Sequence, residues 1–385
     1  MNDRERLLAT FHYEDRDRSP ICDFSFWDET LVEWQQQELP DWVNRTTAPV
    51  YFGMDWYAYP SGVKTQLYPL FESRVVEDRG DHEVLMQPNG VLVLRKKYMG
   101  SIPTHLGHTL VDRQSWKEEY LPRLDPMNPD RLPADLEERV RWWNDPERAL
   151  PVSIFCGSLF GVIRDWMGLE AVSYVVYDDP AWFEEMVEAL TCCTIGVLER
   201  LFEAGARFDC AHFWEDMCFN SGPLLHPDHF RKYLVPRYRR ITDVLRKHGI
   251  DIIWLDCDGK IDTLIPHWLE GGVNCMFPIE VGTWGADPIA MRKEYGKDLL
   301  LMGGFDKHLL ARSPEEIRAE VRRLRPLVEE GGYIGFCDHR VPPDVPLEHY
   351  LFYLKEVRRE WGLNTNLKPL PGEQPASPET LVTPP

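Results

Sequence analysis

From residue 150 onward, the hydrophobic positions of this 385-residue chain fall into a regular alternation. Apolar runs of strand length occur at Leu150–Phe160, Phe208–Met217, Ile250–Leu255, Val273–Ile279, Leu299–Gly304 and Tyr333–Cys337. Between them lie longer stretches with helical spacing, around 180–204, 226–248 and 260–270, then Asp287–Tyr295, Pro314–Glu330 and Leu347–Trp361. Strands alternating with helices imply parallel strands joined by helical crossovers. Near the start, Arg4–Phe11 reads as a short amphipathic helix and Ser19–Phe26 as a strand. Five or six strand–helix units plus an N-terminal strand fit a closed barrel better than an open sheet. No Gly-x-Gly-x-x-Gly or Walker motif follows a strand to argue for a nucleotide-binding doubly wound fold. The expected class is therefore α/β, a (β/α)8 TIM-type barrel with an N-terminal extension.

Between 28 and 150 the alternation is lost. His82–Lys97 carries two alternating runs around Pro88-Asn89-Gly90, which predicts a β-hairpin inserted into the larger fold. Residues 112–150 are charged and punctuated by proline, as surface helices and loops are. After Trp361 the composition turns to Pro, Thr and Ser without aromatics. We therefore expect a barrel domain over 1–363 and a disordered Pro-rich tail over 364–385.

Composition narrows the partners. A formal charge of -20 leaves no excess of cations to neutralise phosphates, which argues against nucleic acid and anionic membrane surfaces. Nine cysteines without CxxC spacing read as reduced thiols. Cys156, Cys192, Cys193, Cys210, Cys218 and Cys275 are read as structural. The charged N-terminus carries no signal-peptide pattern, and no apolar run approaches the ~18 residues of a membrane span. A cytoplasmic protein is expected.

In a barrel of this kind the chemistry gathers at the carboxyl ends of the strands, where the βα loops converge. Here those ends are polar in nearly every case: Trp214-Glu215-Asp216, Asp256-Cys257-Asp258-Gly259, Glu280, Phe305-Asp306-Lys307 and Cys337-Asp338-His339-Arg340. Side chains alternate along a strand, so Asp256 and Asp258 face the barrel mouth together with Cys257 turned away. Asp258, just before Gly259, has capping of the next helix as an equal alternative. Two adjacent anions call for a cation, a shared proton or a cationic substrate. Glu215-Asp216 repeat the pattern, with one of the two expected only to cap. His339 is a candidate acid–base or ligand group, and Cys337, read as sharing its face, is a candidate soft ligand. Catalytic candidates are thus Asp256, Asp258, His339 and Glu215. Substrate contacts are expected from Asp23, Trp27, Trp214, Phe305 and Asp306.

Four segments, 214–241, 254–281, 301–310 and 331–358, resemble the uroporphyrinogen decarboxylase superfamily. That family includes the decarboxylase and the corrinoid- or coenzyme M-linked methyltransferases. The resemblance implies an α/β barrel, often a homodimer. The decarboxylase works without a cofactor and carries an N-terminal R-x-P-V-W-x-M-R-Q-A-G-R segment whose arginines grip carboxylates. Here Arg18-Ser19-Pro20 keeps its start, but Asp23-Phe24-Ser25-Phe26-Trp27 follows and the M-R-Q-A-G-R portion is missing. His339 matches the histidine of the H-G-x-x-P motif, with Arg340 in place of the glycine. The methyltransferases bind zinc through H-x-C and a later C. Those positions read Asp256-Cys257-Asp258 and His339, or Cys337 in a register two residues away. Such a set, completed by Glu280, suits Zn²⁺ and would also take Mn²⁺ or Fe²⁺.

The leading expectation is methyl transfer or demethylation of a small substrate, with a corrinoid protein as partner and a divalent metal at Asp256, Asp258, His339, Glu280 and Cys337. The alternatives are a metal-free decarboxylase or lyase acting on a porphyrinogen-like substrate, and a non-catalytic barrel that binds a tetrapyrrole or corrinoid.

Overall fold

The structure is a computed structural model that describes residues 1–97 and 102–362. Its strands are β1 (Tyr59–Pro60), β2 (Arg74–Arg79), β3 (His82–Met86), β4 (Val91–Lys96), β5 (Thr104–His108), β6 (Val152–Phe155) and β7 (Cys210–Trp214). They continue as β8 (Cys218–Phe219), β9 (Gly222–Pro223), β10 (Ile253–Asp256), β11 (Cys275–Ile279), β12 (Leu300–Phe305) and β13 (Tyr333–Cys337). Seven of them form one sheet in the order β1-β6-β7-β10-β11-β12-β13, and every neighbouring pair is parallel. Helices Pro180–Glu203, Val235–Lys247, Ile265–Gly271, Pro288–Tyr295 and Pro314–Glu330 make the crossovers, and Leu347–Trp361 follows the last strand. This is the curled parallel wall of a TIM-type barrel.

The extended segment 19–26 takes the remaining place in the wall. It is not a regular strand as expected: only Phe26 forms a ladder bridge, with Val341. The cause is local. Pro20 has no N–H to donate, and the N–H of Ile21 goes to the Asp55 carboxylate at 2.9 Å. Parity is kept all the same. Cys22 joins Cys210, Trp254, Phe277, Met302 and Phe336 in the cluster that fills the lumen, and Phe24 packs against it. A second, larger cluster lies between wall and helices.

The expected hairpin is present as β3–β4 within a four-stranded antiparallel sheet of order β2-β3-β4-β5. The helix expected around 260–270 begins later, at Ile265, because the N–H of Lys260 is drawn to the carbonyl of Phe219 at 2.8 Å. The tail over 364–385 lies outside the described residues. Among the described residues no helix is long and apolar enough to cross a membrane.

Candidate active site

The lumen is floored by rings. His212 and Trp254 stack at 4.3 Å between centroids. Phe24 stacks on both Phe277 (5.0 Å) and His339 (4.8 Å). Burial pushes the His212 imidazole down to about 3, and its Nδ1 meets the Ser153 hydroxyl at 2.6 Å. The floor is therefore neutral and apolar.

Above this floor the strand ends deliver charge. One carboxylate oxygen from each of Asp216, Asp256 and Asp258 lies within 4.8 Å of the others. His339 Nε2 is 3.2 Å from Asp258 Oδ2, so the structure brings Asp256, Asp258 and His339 together. Asp216, not Glu215, completes the group. His212 and Trp214 share the lumen face of β7, as Trp254 and Asp256 do on β10, with Asp256 paired opposite Trp214, and the chain turns just past the end of β7 to bring Asp216 to the same group. Asp216 holds this place with a left-handed backbone (φ 42°), and it accepts the N–H of Asp258 at 3.3 Å.

The carboxylates strain one another. Burial first, then the charges of Asp216 and Asp258, hold the Asp256 carboxyl far above its ordinary range, opposed by Arg340. Asp216 is pushed up to about 6 by burial and by Asp258. Glu280 is raised by burial and by Asp258. Among the described residues, Asp256 accepts no side-chain hydrogen bond, and Asp258 Oδ1 is buried without a partner. Such atoms are costly unless something binds them.

Several expected residues sit elsewhere. Glu215 points outward, where its carboxylate accepts the N–H groups of Leu159 (2.7 Å), Phe160 (2.9 Å) and Gly161 (2.9 Å), plus the hydroxyls of Ser158 and Tyr238. It fastens β7 to the start of helix Gly161–Met167. Asp23 has the opposite parity to Cys22 and Phe24, and its carboxyl lies under helix Leu347–Trp361, bonded by the Tyr350 hydroxyl at 2.8 Å. Burial raises it to about 7. Cys337 does not share the face of His339. It is buried behind the wall beside Asp23, since the strand ends at Cys337 and the chain bends before His339. Phe305 belongs to the outer core, 4.6 Å from Tyr353, and Asp306 caps its own turn through the N–H of His308. Glu280 lies just behind the group, accepting Gly259 N–H at 2.6 Å and the Thr283 hydroxyl at 2.9 Å, so it shapes the 256–259 loop. Trp27 and Trp214 stay at the mouth, Trp27 beside His339 (5.9 Å) and Trp214 under the Arg164 guanidinium (5.7 Å).

A cation would answer the crowding. The donors available are carboxylate oxygens and one imidazole, because both nearby thiols are turned away: Cys257 is buried and accepts the N–H of Met217. The residues thus fit a divalent ion bound through the oxygens of Asp216, Asp256 and Asp258, with His339 held against Asp258 beside the group, and they do not fit a thiolate-rich zinc set.

The fold and the strand-end site together define a barrel enzyme class, and the comparisons agree. The chain belongs to the uroporphyrinogen decarboxylase (URO-D) family, whose sequence model matches residues 113–360. A uroporphyrinogen decarboxylase of Acidiphilium cryptum (strain JF-5) is 30% identical over 229 residues, 57% of this chain and 60% of its own length. That of Granulibacter bethesdensis is 27% identical over 187 residues, 48% of this chain and 51% of its own. The chain thus spans about half to three-fifths of the length of these curated relatives. A solved methyltransferase from Methanosarcina mazei matches over 94% of this chain and 99% of its own, with a TM-score of 0.60 and 16% identity. That likeness is one of fold.

Proposed function

We propose that this chain is a metal-assisted enzyme of the family's methyl-transferring kind, acting on a small substrate with a corrinoid protein as the methyl acceptor. The observation that carries the reading is the cluster of Asp216, Asp256 and Asp258 at the barrel mouth, with His339 on Asp258. A divalent cation bound there would supply Lewis acidity toward a substrate heteroatom. The chain's own residues do the rest. The carboxylates fix the charge of the site, and Asp258 orients the imidazole of His339, which is placed to hold or pass a proton. The rings of Phe24, Trp254 and Phe277 seat the apolar part of the substrate and exclude water. Eight of the nine cysteines are buried and all are free, which supports a reducing, cytoplasmic setting. A homodimer remains part of the reading through the family.

Decarboxylation without metal has one observation in its favour, an Asp256 carboxyl able to keep its proton. Against it, Arg18, which keeps the start of the decarboxylase's arginine-bearing segment, is buried and bonded to Asp55 (Nη2 to Oδ1, 2.8 Å). Elemental analysis of the purified chain separates the two readings. The expected result is one stoichiometric metal that is lost in Asp256→Ala and His339→Ala. Metal-free protein with an intact fold would overturn the metal reading.

A further inference from the structure

Arg340 stands directly after His339, and its chemistry is unspent. Its guanidinium lies over the Trp27 ring at 4.8 Å and the Phe24 ring at 5.9 Å. Its Nε is buried and has no hydrogen-bond partner, and among the described residues no ion pair or hydrogen bond reaches the group. Asp28, the nearby acid that could have neutralised it, is taken by Arg45 at 2.9 Å. Asp256 and Asp258 attract it from beyond salt-bridge distance.

Structural arginines of this chain look different. Arg131 donates to the carbonyls of Asp125 (2.7 Å), Lys64 (2.9 Å) and Arg123 (2.6 Å). Arg148 is bonded to Asp209 at 2.7 Å. A half-buried guanidinium without partners costs free energy that packing on two rings does not return in full. Rings over its face leave its edge open, and that edge is a fork matched to a carboxylate.

We propose that Arg340 is the specificity-determining residue for a small monoanionic substrate, gripping its carboxylate while the reacting end lies over the acidic cluster. The proposal rests on the reading of the mouth as the substrate site. The charge count sets the class. Arg340 offers one fork, enough to hold one carboxylate; a phosphate dianion or a polycarboxylate would set further negative charge against the Asp216, Asp256 and Asp258 group. The flat rings of Phe24 and Trp27 suit a planar or compact apolar body.

The test is calorimetric titration of the full chain with benzoate, cyclohexanecarboxylate and the neutral benzamide, on wild type, Arg340→Gln and Arg340→Lys. Both carboxylates should bind wild type, lose about tenfold or more on R340Q, and recover in part on R340K. Benzamide should bind more weakly than benzoate and be indifferent to R340Q. Failure of both carboxylates to bind wild type, or equal binding to R340Q, overturns the proposal. Zinc uptake, followed by elemental analysis, keeps the two readings apart. R340Q should retain its metal, because Arg340 touches none of the carboxylates. A chain that takes up no metal but binds carboxylates through Arg340 would overturn the metal reading and leave this one standing.

Discussion

Replacing Asp258 by Asn should stabilise the metal-stripped protein and weaken its response to metal. Asp258 is the group whose charge raises Asp216, Asp256 and Glu280 alike. Two full charges 4.8 Å apart, the outer limit of the cluster, repel by about 3 kcal/mol at an effective dielectric near 20. The Asp258 side chain is 39% exposed, and water screens it, so about 1–2 kcal/mol is the expected gain. The sign with pH follows from linkage. Carboxyls raised in the folded state keep protons that the unfolded chain has released, so stability falls as pH rises from about 4 upward. For Asp216, lifted to about 6, the fall amounts to about 3 kcal/mol, complete above that pH. D258N should therefore match wild type near pH 4 and exceed it at about pH 8, with a flatter slope between. The assay is urea unfolding followed by circular dichroism, in chelator and then with Zn²⁺ or Mn²⁺. Added metal should stabilise wild type more than the variant. A D258N protein less stable than wild type at about pH 8 in chelator, or one with the same pH slope, would refute the reasoning.

Three further outcomes follow from the geometry. Glu215→Gln strips the charge from five donors and should cost about 3–5 kcal/mol, read as a lower urea midpoint; an unchanged midpoint with lost activity would return Glu215 to the catalytic group. Asp55→Ala removes the carboxylate shared by Arg18, Arg6 and the N–H of Ile21 and should cost a similar ~3–5 kcal/mol, with hydrogen exchange rising first over 19–26. The His212 ring, held down to about 3 by burial, should show no protonation by NMR above about pH 4. Its folded-state value lies below the unfolded one, so the stability it contributes is complete above about pH 6.5 and is lost as pH falls toward 3.

Much of the fold was written in the apolar runs, because parallel strands buried on both sides carry long apolar stretches that need no partner to be recognised. Tyr59–Pro60 was not legible: two residues pair there with Val152 and Ser153, too short a run to leave a period. Segment 19–26 read as a strand because its side-chain parity is that of one, while the N–H of Ile21 was claimed by Asp55, 34 residues away. Asp256, the last residue of its strand, was legible from alternation; Asp258 lies beyond the strand's end and joins the group through the turn of the chain that follows. Glu215 was not, since what it caps, Ser158 to Gly161, lies more than fifty residues upstream. Cys337 and His339 differ by an even number, but parity holds only inside a strand, and the strand stops between them.

The antiparallel insertion has a consequence of its own. β2 is an outer strand whose six residues are all exposed, with Val75 and Val76 more than half open to water. Among the described residues no strand pairs with its far side, and such an edge offers backbone groups to a passing extended chain, the geometry from which intermolecular sheets grow. What guards it is charge and a kink. Arg74, Glu77, Asp78 and Arg79 flank the valines, and the register shifts between Val75 and Glu77. Exchange of Glu77 and Asp78 for threonine would leave the barrel and its mouth untouched, yet open this edge to self-association. The charges that guard this edge lie far from the acidic group at the barrel mouth, so the two can be varied independently.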